Sequence, residues 1–316
     1  MLGAVIARHT AHVARHATYT PARMPKRLPR ARTLKGDPKI AYYDSGGGVA
    51  GEPAVMLLHG STMRSEDWEN VFPRLATRYR VVAYDARGHG RSGRAASYEL
   101  RAFASDAIRV LREIVKGDAT LIGHSLGALC ALACAADAPE LVRGLVLEDP
   151  GVRYPGRWEP EKERPLREAL AETGDPKAFL RAVGKIPLGS PGPRGERTYG
   201  EMRGFYAAER VVTYLKDLDP AFVEWRLATD DLSAGEVAGW IAGVRSPALV
   251  IAGETRLGSQ LDDNGEWALK KAIKDLTVKR FPGTGHVIHG YRPEPFLEAL
   301  EPFLRRVRAP EGATGP

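Results

Sequence analysis

Cysteine is nearly absent from this chain. Two occur in 316 residues, Cys130 and Cys134, one helical turn apart, and an i,i+4 pair on a helix does not close a disulfide. A disulfide-framed secreted scaffold is excluded. The pair reads as small buried apolar side chains in a reducing, cytoplasmic setting. No run of 18 or more apolar residues exists, which excludes an ordinary membrane-spanning helix. Acids are missing from residues 1–36, which hold eight basic residues: Arg8, Arg15, Arg23, Lys26, Arg27, Arg30, Arg32 and Lys35. The formal net charge of +7 therefore leaves 38 basic and 39 acidic residues in the rest. A balanced body argues against a nucleic-acid groove. The first apolar stretch, Met1–Ala7, has no basic flank before it and is too short for a secretory segment. His9, His12 and His16 have no cysteine or acid beside them, so no metal is expected. Ser45-Gly46-Gly47-Gly48 has no Gly-Lys-Ser/Thr continuation, so it is a turn and not a phosphate loop.

What is present is an alternation of short apolar strands and amphipathic helices. Strands are expected at Lys39–Asp44, Ala54–Leu58, Arg80–Tyr84, Thr120–Ile122, Leu145–Leu147, Ala248–Ala252 and Thr277–Phe281. Helices are expected at Asp67–Ala76, Tyr98–Lys116, Leu126–Asp137, Trp267–Lys274 and Pro295–Val307. The pattern predicts an α/β fold, a mostly parallel doubly wound sheet flanked by helices. Between Pro150 and Ala234 the alternation stops, and only helical stretches appear. The expected organisation is a basic extension (1–36), a core (37–150 and 235–310) and a helical cap inserted after one strand (151–234).

Ser125 lies in Gly123-His124-Ser125-Leu126-Gly127, between a predicted strand and a predicted helix. A G-x-S-x-G run alone is weak, and a glycine-rich turn with a bystander serine also fits it. The strand–turn–helix context gives it weight. A sharp turn lifts the hydroxyl clear, and small flanking residues relieve the crowding. Four further motifs sit at strand ends. They are His59-Gly60-Ser61, Asp85-Ala86-Arg87-Gly88-His89-Gly90-Arg91-Ser92, Glu148-Asp149-Pro150 and Gly285-His286.

Together the five motifs resemble the α/β-hydrolase fold family, in its serine-nucleophile branch with a helical cap. The resemblance spans about residues 31 to 307. It implies Ser125 as nucleophile and His286 as base, in the chain order Ser…acid…His. It implies an oxyanion hole made by the backbone N–H groups of Ser61 and Leu126. His289 lacks the preceding glycine. His59 and His89 read as loop-organising hydrogen-bonders, and Asp85 and Arg87 as a structural tie.

The acid is where the chain departs from the family pattern. Arg256 stands where many members carry an aspartate, and a guanidinium cannot accept an imidazole N–H. Some branches, haloalkane dehalogenases and mycotoxin-lactone hydrolases among them, place the acid at the end of the strand after the nucleophile helix. Glu148 is the expected acid on that ground. Glu254 and Asp149 are alternatives, followed by Asp262 or Asp263.

A serine at the elbow implies acyl transfer. The expected function is a cofactor-free hydrolase of a small or medium carboxylic ester or lactone. Its partner would be a small-molecule acyl substrate lined by Trp158, Phe205, Tyr206, Tyr214 and Trp225, each of which also fits as cap core. A carbon–carbon bond hydrolase, an acyltransferase, a haloperoxidase-like enzyme and a non-turnover ligand receptor on the same fold stay open.

Overall fold

The computed structural model describes residues 28–49, 52–152, 163–187, 198–201, 207–228 and 234–308. Eight strands form one sheet. They are β1 (Arg32–Leu34), β2 (Ile40–Asp44), β3 (Ala54–Leu58), β4 (Val81–Tyr84), β5 (Ala119–His124), β6 (Val142–Glu148), β7 (Ala248–Ala252) and β8 (Leu276–Arg280). Their spatial order is β1-β2-β4-β3-β5-β6-β7-β8. β2 runs antiparallel to β1 and β4, and every pair from β4 to β8 is parallel. β4, β5 and β7 are buried at every position. Strands covered on both faces need continuous apolar runs, and these have them.

The helices are α1 (Phe72–Leu75), α2 (Leu100–Val110), α3 (Leu126–Asp137), α4 (Arg164–Ala171), α5 (Pro176–Gly184), α6 (Ala208–Leu215), α7 (Pro220–Ala228), α8 (Ala234–Gly243), α9 (Asp263–Ala272), α10 (Ile288–Tyr291) and α11 (Pro293–Arg306). α2, α3 and α8 bury their apolar stripes on one face of the sheet. α1 and α11 cover the other, with Phe72, Leu75, Phe296, Leu300 and Phe303 against Val55, Leu57 and Ile122. α4 to α7 follow β6, where only helices were expected. Among the described residues that stretch adds a 3-10 turn, Tyr199–Glu201, and an isolated bridge between Pro187 and Thr198. No helix among the described residues is long and apolar enough to cross a membrane.

Three differences from the sequence reading have physical causes. β1 lies inside the stretch read as a basic extension, because only Leu34 of its three residues is buried and no alternation shows. The helix expected over Asp67–Ala76 splits into a 3-10 turn, Ser65–Trp68, and the short α1. α8 was not foreseen, since Gly235, Gly239 and Gly243 erase its helical signal. Packing on α3 holds it instead, with Val237, Trp240 and Ile241 buried.

The parallel strands bring their carboxyl ends to one edge of the sheet. Ser125, Asp149, His59, Asp85 and Gly253 follow β5, β6, β3, β4 and β7 there, Glu148 ends β6, and His286 follows β8. Open α/β sheets bind ligands at such an edge.

Candidate active site

Ser125 turns the chain from β5 into α3 with φ 52° and ψ −114°. This backbone region costs a residue with a Cβ about 1–3 kcal/mol. Close packing holds it in place. A Cβ on Gly127 would stand 2.2 Å from the Leu58 carbonyl oxygen, and one on Gly123 would stand 2.3 Å from that of Gly127. Glycine is required at both flanks. The Ser125 N–H donates to the Glu148 carbonyl at 3.0 Å, so the β5–β6 ladder runs into the turn. α3 starts at Leu126, whose N–H is one of the first-turn donors that a helix cannot pair internally. The positive end of the helix therefore faces the serine.

His286 lies between β8 and α10, and its ring sits 4.6 Å from that of His124, the neighbour of Ser125. His124 Nε2–H donates to the His286 carbonyl at 3.1 Å. Burial, then the adjacent His286, lowers the His124 pKa to about 4, so this prop is neutral. The His286 Nδ1–H points to Asp149 Oδ2 at 2.5 Å. Asp149 is fully buried, at φ 45°. It also accepts from the Ser259 hydroxyl and from the Gln260 N–H at 2.7 Å. Burial pushes its carboxyl up. The bond to His286 and the donors from Ser259 and Gln260 outweigh this and hold it below the usual range.

In this geometry His286 pairs with Asp149, one of the alternative acids, and not with the expected Glu148. Glu148 is fully buried too, but it serves another histidine. Its Oε1 accepts from the N–H groups of Ile288 at 2.6 Å and His289 at 2.8 Å, and its Oε2 pairs with His289 Nδ1 at 2.7 Å. His289 Nε2 reaches Asp67 Oδ2 at 3.2 Å, and its ring stacks on Trp68 at 4.0 Å. Burial alone would lower the His289 pKa. Glu148 and Asp67 outweigh it and raise it to about 10. Asp67, His124 and His289 offer donor atoms within 4.8 Å of one another. With a carboxylate on each ring nitrogen, His289 is an imidazolium with no lone pair for a metal.

The remaining candidate acids lie elsewhere. Glu254 accepts from the Gly283 N–H at 2.6 Å and pairs with the exposed Arg256. Asp262 caps α9 through the Gly265 N–H at 2.8 Å, and Asp263 is exposed. His59 takes the Ala86 N–H on Nε2 and donates from Nδ1 to the Gly60 carbonyl. Asp85 accepts from the N–H groups of Ser65 and Arg91, and Arg87 pairs with Asp106 at 2.8 Å. These residues organise loops, as the sequence suggested.

Ser61 sits in a turn closed by the Met63 N–H on the Gly60 carbonyl at 3.2 Å, with Thr62 at φ 63°. Of the aromatic candidates, Tyr214 packs buried against Met63 and Val287, the neighbours of that turn and of His286. Trp225 is half-buried and stacks on Phe222. Trp158, Phe205 and Tyr206 lie outside the described residues. Sequence reasoning missed Ser259, Gln260, the pairing of His289 and Arg226 of α7, which donates to Ser61 Oγ at 3.1 Å. No local motif marks any of them; they meet the site only through tertiary packing.

Comparison with known proteins agrees with this architecture. A family model described as the alpha/beta hydrolase family matches residues 55–299. A 2-(acetamidomethylene)succinate hydrolase from Mesorhizobium japonicum is 28% identical, over 80% of this chain and 88% of its own. A pimeloyl-[acyl-carrier protein] methyl ester esterase from Nitrosospira multiformis is 25% identical, over 80% of this chain and 95% of its own. A solved enzyme that degrades N-acyl homoserine lactones superposes with a TM-score of 0.63 at 23% identity, covering 86% of this chain and all of that one.

Proposed function

The chain belongs to the alpha/beta hydrolase family, and from that premise we propose a serine hydrolase that cleaves a small or medium carboxylic ester or lactone through an acyl-enzyme. Ser125 Oγ attacks the carbonyl carbon while its proton passes to His286 Nε2. The oxyanion that forms is met by the N–H groups of Leu126 and Ser61. His286 returns the proton to the leaving alkoxide. A water then attacks the acyl-enzyme, with His286 again as base, and releases the acid. Asp149 holds the Nδ1–H tautomer and stabilises the imidazolium in both steps.

The observation that carries this reading is the 2.5 Å bond between His286 and the buried Asp149, with the His286 ring 4.6 Å from that of His124, the chain neighbour of a serine in the strained turn. Ester and lactone substrates are also named for two of the relatives above, and a substituted succinate for the third. Ser125→Ala is expected to abolish both covalent labelling by a fluorophosphonate and turnover of a panel of esters, lactones and amides. Labelling that persists at full rate would refute the assignment of the nucleophile. The member of the panel with the largest kcat/KM identifies the acyl class.

A further inference from the structure

We propose that Arg226 is a positioning residue: from the cap helix α7 its guanidinium clamps the Ser61 hydroxyl and so sets the oxyanion loop. The inference rests on the reading of Ser125 and His286 as the catalytic pair and of the Ser61 N–H as an oxyanion donor.

Arg226 is 9% exposed in the last turns of α7. Its Nη1 donates to Ser61 Oγ at 3.1 Å and its Nη2 to Glu163 Oε1 at 2.7 Å. A buried guanidinium needs fixed partners, and its planar fork holds two of them at a set angle. The Ser61 hydroxyl is therefore located by a rigid group rather than by its own turn, which the single Gly60–Met63 bond closes.

α7 can transmit such a constraint because it is anchored independently of Arg226. At its start the Asp219 N–H donates to the Gly88 carbonyl at 2.8 Å, and Tyr98 Oη–H donates to Asp219 Oδ2 at 2.6 Å. Phe222 is fully buried, edge-on to His89 at 4.8 Å and to Phe103 at 5.9 Å. The helix is pinned to the loop after β4 at one end and reaches the loop after β3 at the other. Glu163 occupies the second arm of the fork. The charge is thereby compensated inside the cap, which favours a clamp over an anion-binding group.

The test compares Arg226→Met, Arg226→Lys, Ser61→Ala and the Arg226→Met/Ser61→Ala pair on a neutral chromogenic ester and on one carrying a carboxylate. Removing a whole oxyanion donor costs about 10²–10³ in kcat. A donor left in place but loosened is expected to cost about 10- to 100-fold, with KM nearly unchanged on both esters. Arg226→Lys, which keeps one donor but not the fork, should fall between. Because Arg226 acts through Ser61, the pair should lose no more than the worse single variant. Multiplying losses in the pair would overturn the clamp. So would a loss confined to KM of the anionic ester, since Arg226 would then bind substrate. If Arg226→Met does not fold, Ser61→Ala alone decides, and an unchanged kcat overturns the proposal. Ser125→Ala runs alongside: full turnover there would show that the catalytic reading, not the clamp, has failed.

Discussion

Asp149→Asn keeps the shape of the side chain and removes the charge opposite His286. Asp149 Oδ2 takes the His286 Nδ1–H at 2.5 Å and the Gln260 N–H at 2.7 Å, while Oδ1 faces the Ser259 hydroxyl. Only the Ser259 side can accept a donor, because a hydroxyl rotates and a backbone N–H does not. The new NH₂ therefore turns to Ser259, and the amide oxygen stays on His286. The imidazole tautomer survives. What disappears is the attraction between the carboxylate and the imidazolium of the transition state. At a charge separation of about 4 Å and an effective dielectric of about 20, that attraction is about 4 kcal/mol. At about 1.4 kcal/mol per factor of ten, kcat should fall about 10³-fold. Steady-state hydrolysis of a chromogenic ester measures this, with a thermal melt to confirm folding. Glu148→Gln should behave differently. Its amide oxygen can keep the N–H groups of Ile288 and His289, but its NH₂ then faces the protonated His289 Nδ1. Breaking a buried pair costs about 3–5 kcal/mol of stability, so the melt should shift and kcat should change by less than about tenfold. If Glu148→Gln folds normally and loses 10³-fold (about 4 kcal/mol) while Asp149→Asn stays active, the acid is Glu148 after all.

Stability should also carry the signature of His289. Its pKa rises from the usual 6.5 to about 10 on folding, so between those values the native state binds the extra proton. That contribution is complete below pH 6.5 and is lost as pH climbs through about 10. The urea midpoint of the wild type should therefore drop toward that of His289→Gln between pH 6 and pH 10, and a gap that stays constant would refute the paired imidazolium. Deleting residues 1–27 is expected to leave kcat/KM unchanged. Deleting residues 1–36 strips β1 and the buried Leu34 from the sheet edge, a loss of about 2 kcal/mol that should lower the melting temperature by several degrees. Coincident melts of the two truncations would refute it. Gly127→Ala drives a methyl to 2.2 Å from the Leu58 carbonyl oxygen, at the root of the His59-Gly60-Ser61 loop. Overpacking of this kind costs about 1–3 kcal/mol. Turnover should fall with the melting temperature, and an unchanged enzyme would mean that the elbow does not need its glycine.

The central sheet was legible because burial on both faces forces continuous apolar runs. β3 and β7 carry the predicted bounds, Ala54–Leu58 and Ala248–Ala252. Elements that depend on neighbours rather than on their own pattern were not. β1 has one inward residue, and α8 is a helix made by its contact with α3 despite three glycines. The same division holds at the site. Ser125 and His286 announce themselves through glycines that a tight backbone needs locally. Ser259, Gln260 and Arg226 are ordinary polar residues, and they reach the site across 110, 111 and 165 positions of the chain to Asp149, Asp149 and Ser61.

The choice between Glu148 and Asp149 shows most sharply where local reasoning stops. Both acids sit at the end of β6, and strand-end logic does not separate them. Glu148 is still in the ladder, in register with His124. Residues in register on neighbouring parallel strands project to the same face, so Glu148 goes with His124 toward Trp68 and His289. Asp149, one residue past the strand, still donates its N–H to the Ile251 carbonyl at 2.7 Å, but it bends at φ 45° and turns its carboxylate toward Ser259, Gln260 and His286. Aspartate tolerates that left-handed conformation better than most residues do, yet nothing in its neighbours announces it. The result is two acid–histidine pairs built from adjacent acids and from histidines three residues apart: Asp149 with His286 and Glu148 with His289. One strand end thus holds the stretch of residues 286–289 at both ends, the outer pair partly open to solvent at His286 and the inner pair fully buried. A slip of one residue in β6 would exchange the two faces, and each histidine would face the wrong acid. The 3.0 Å bond from the Ser125 N–H to the Glu148 carbonyl and the fully buried β6 end hold the register against that slip.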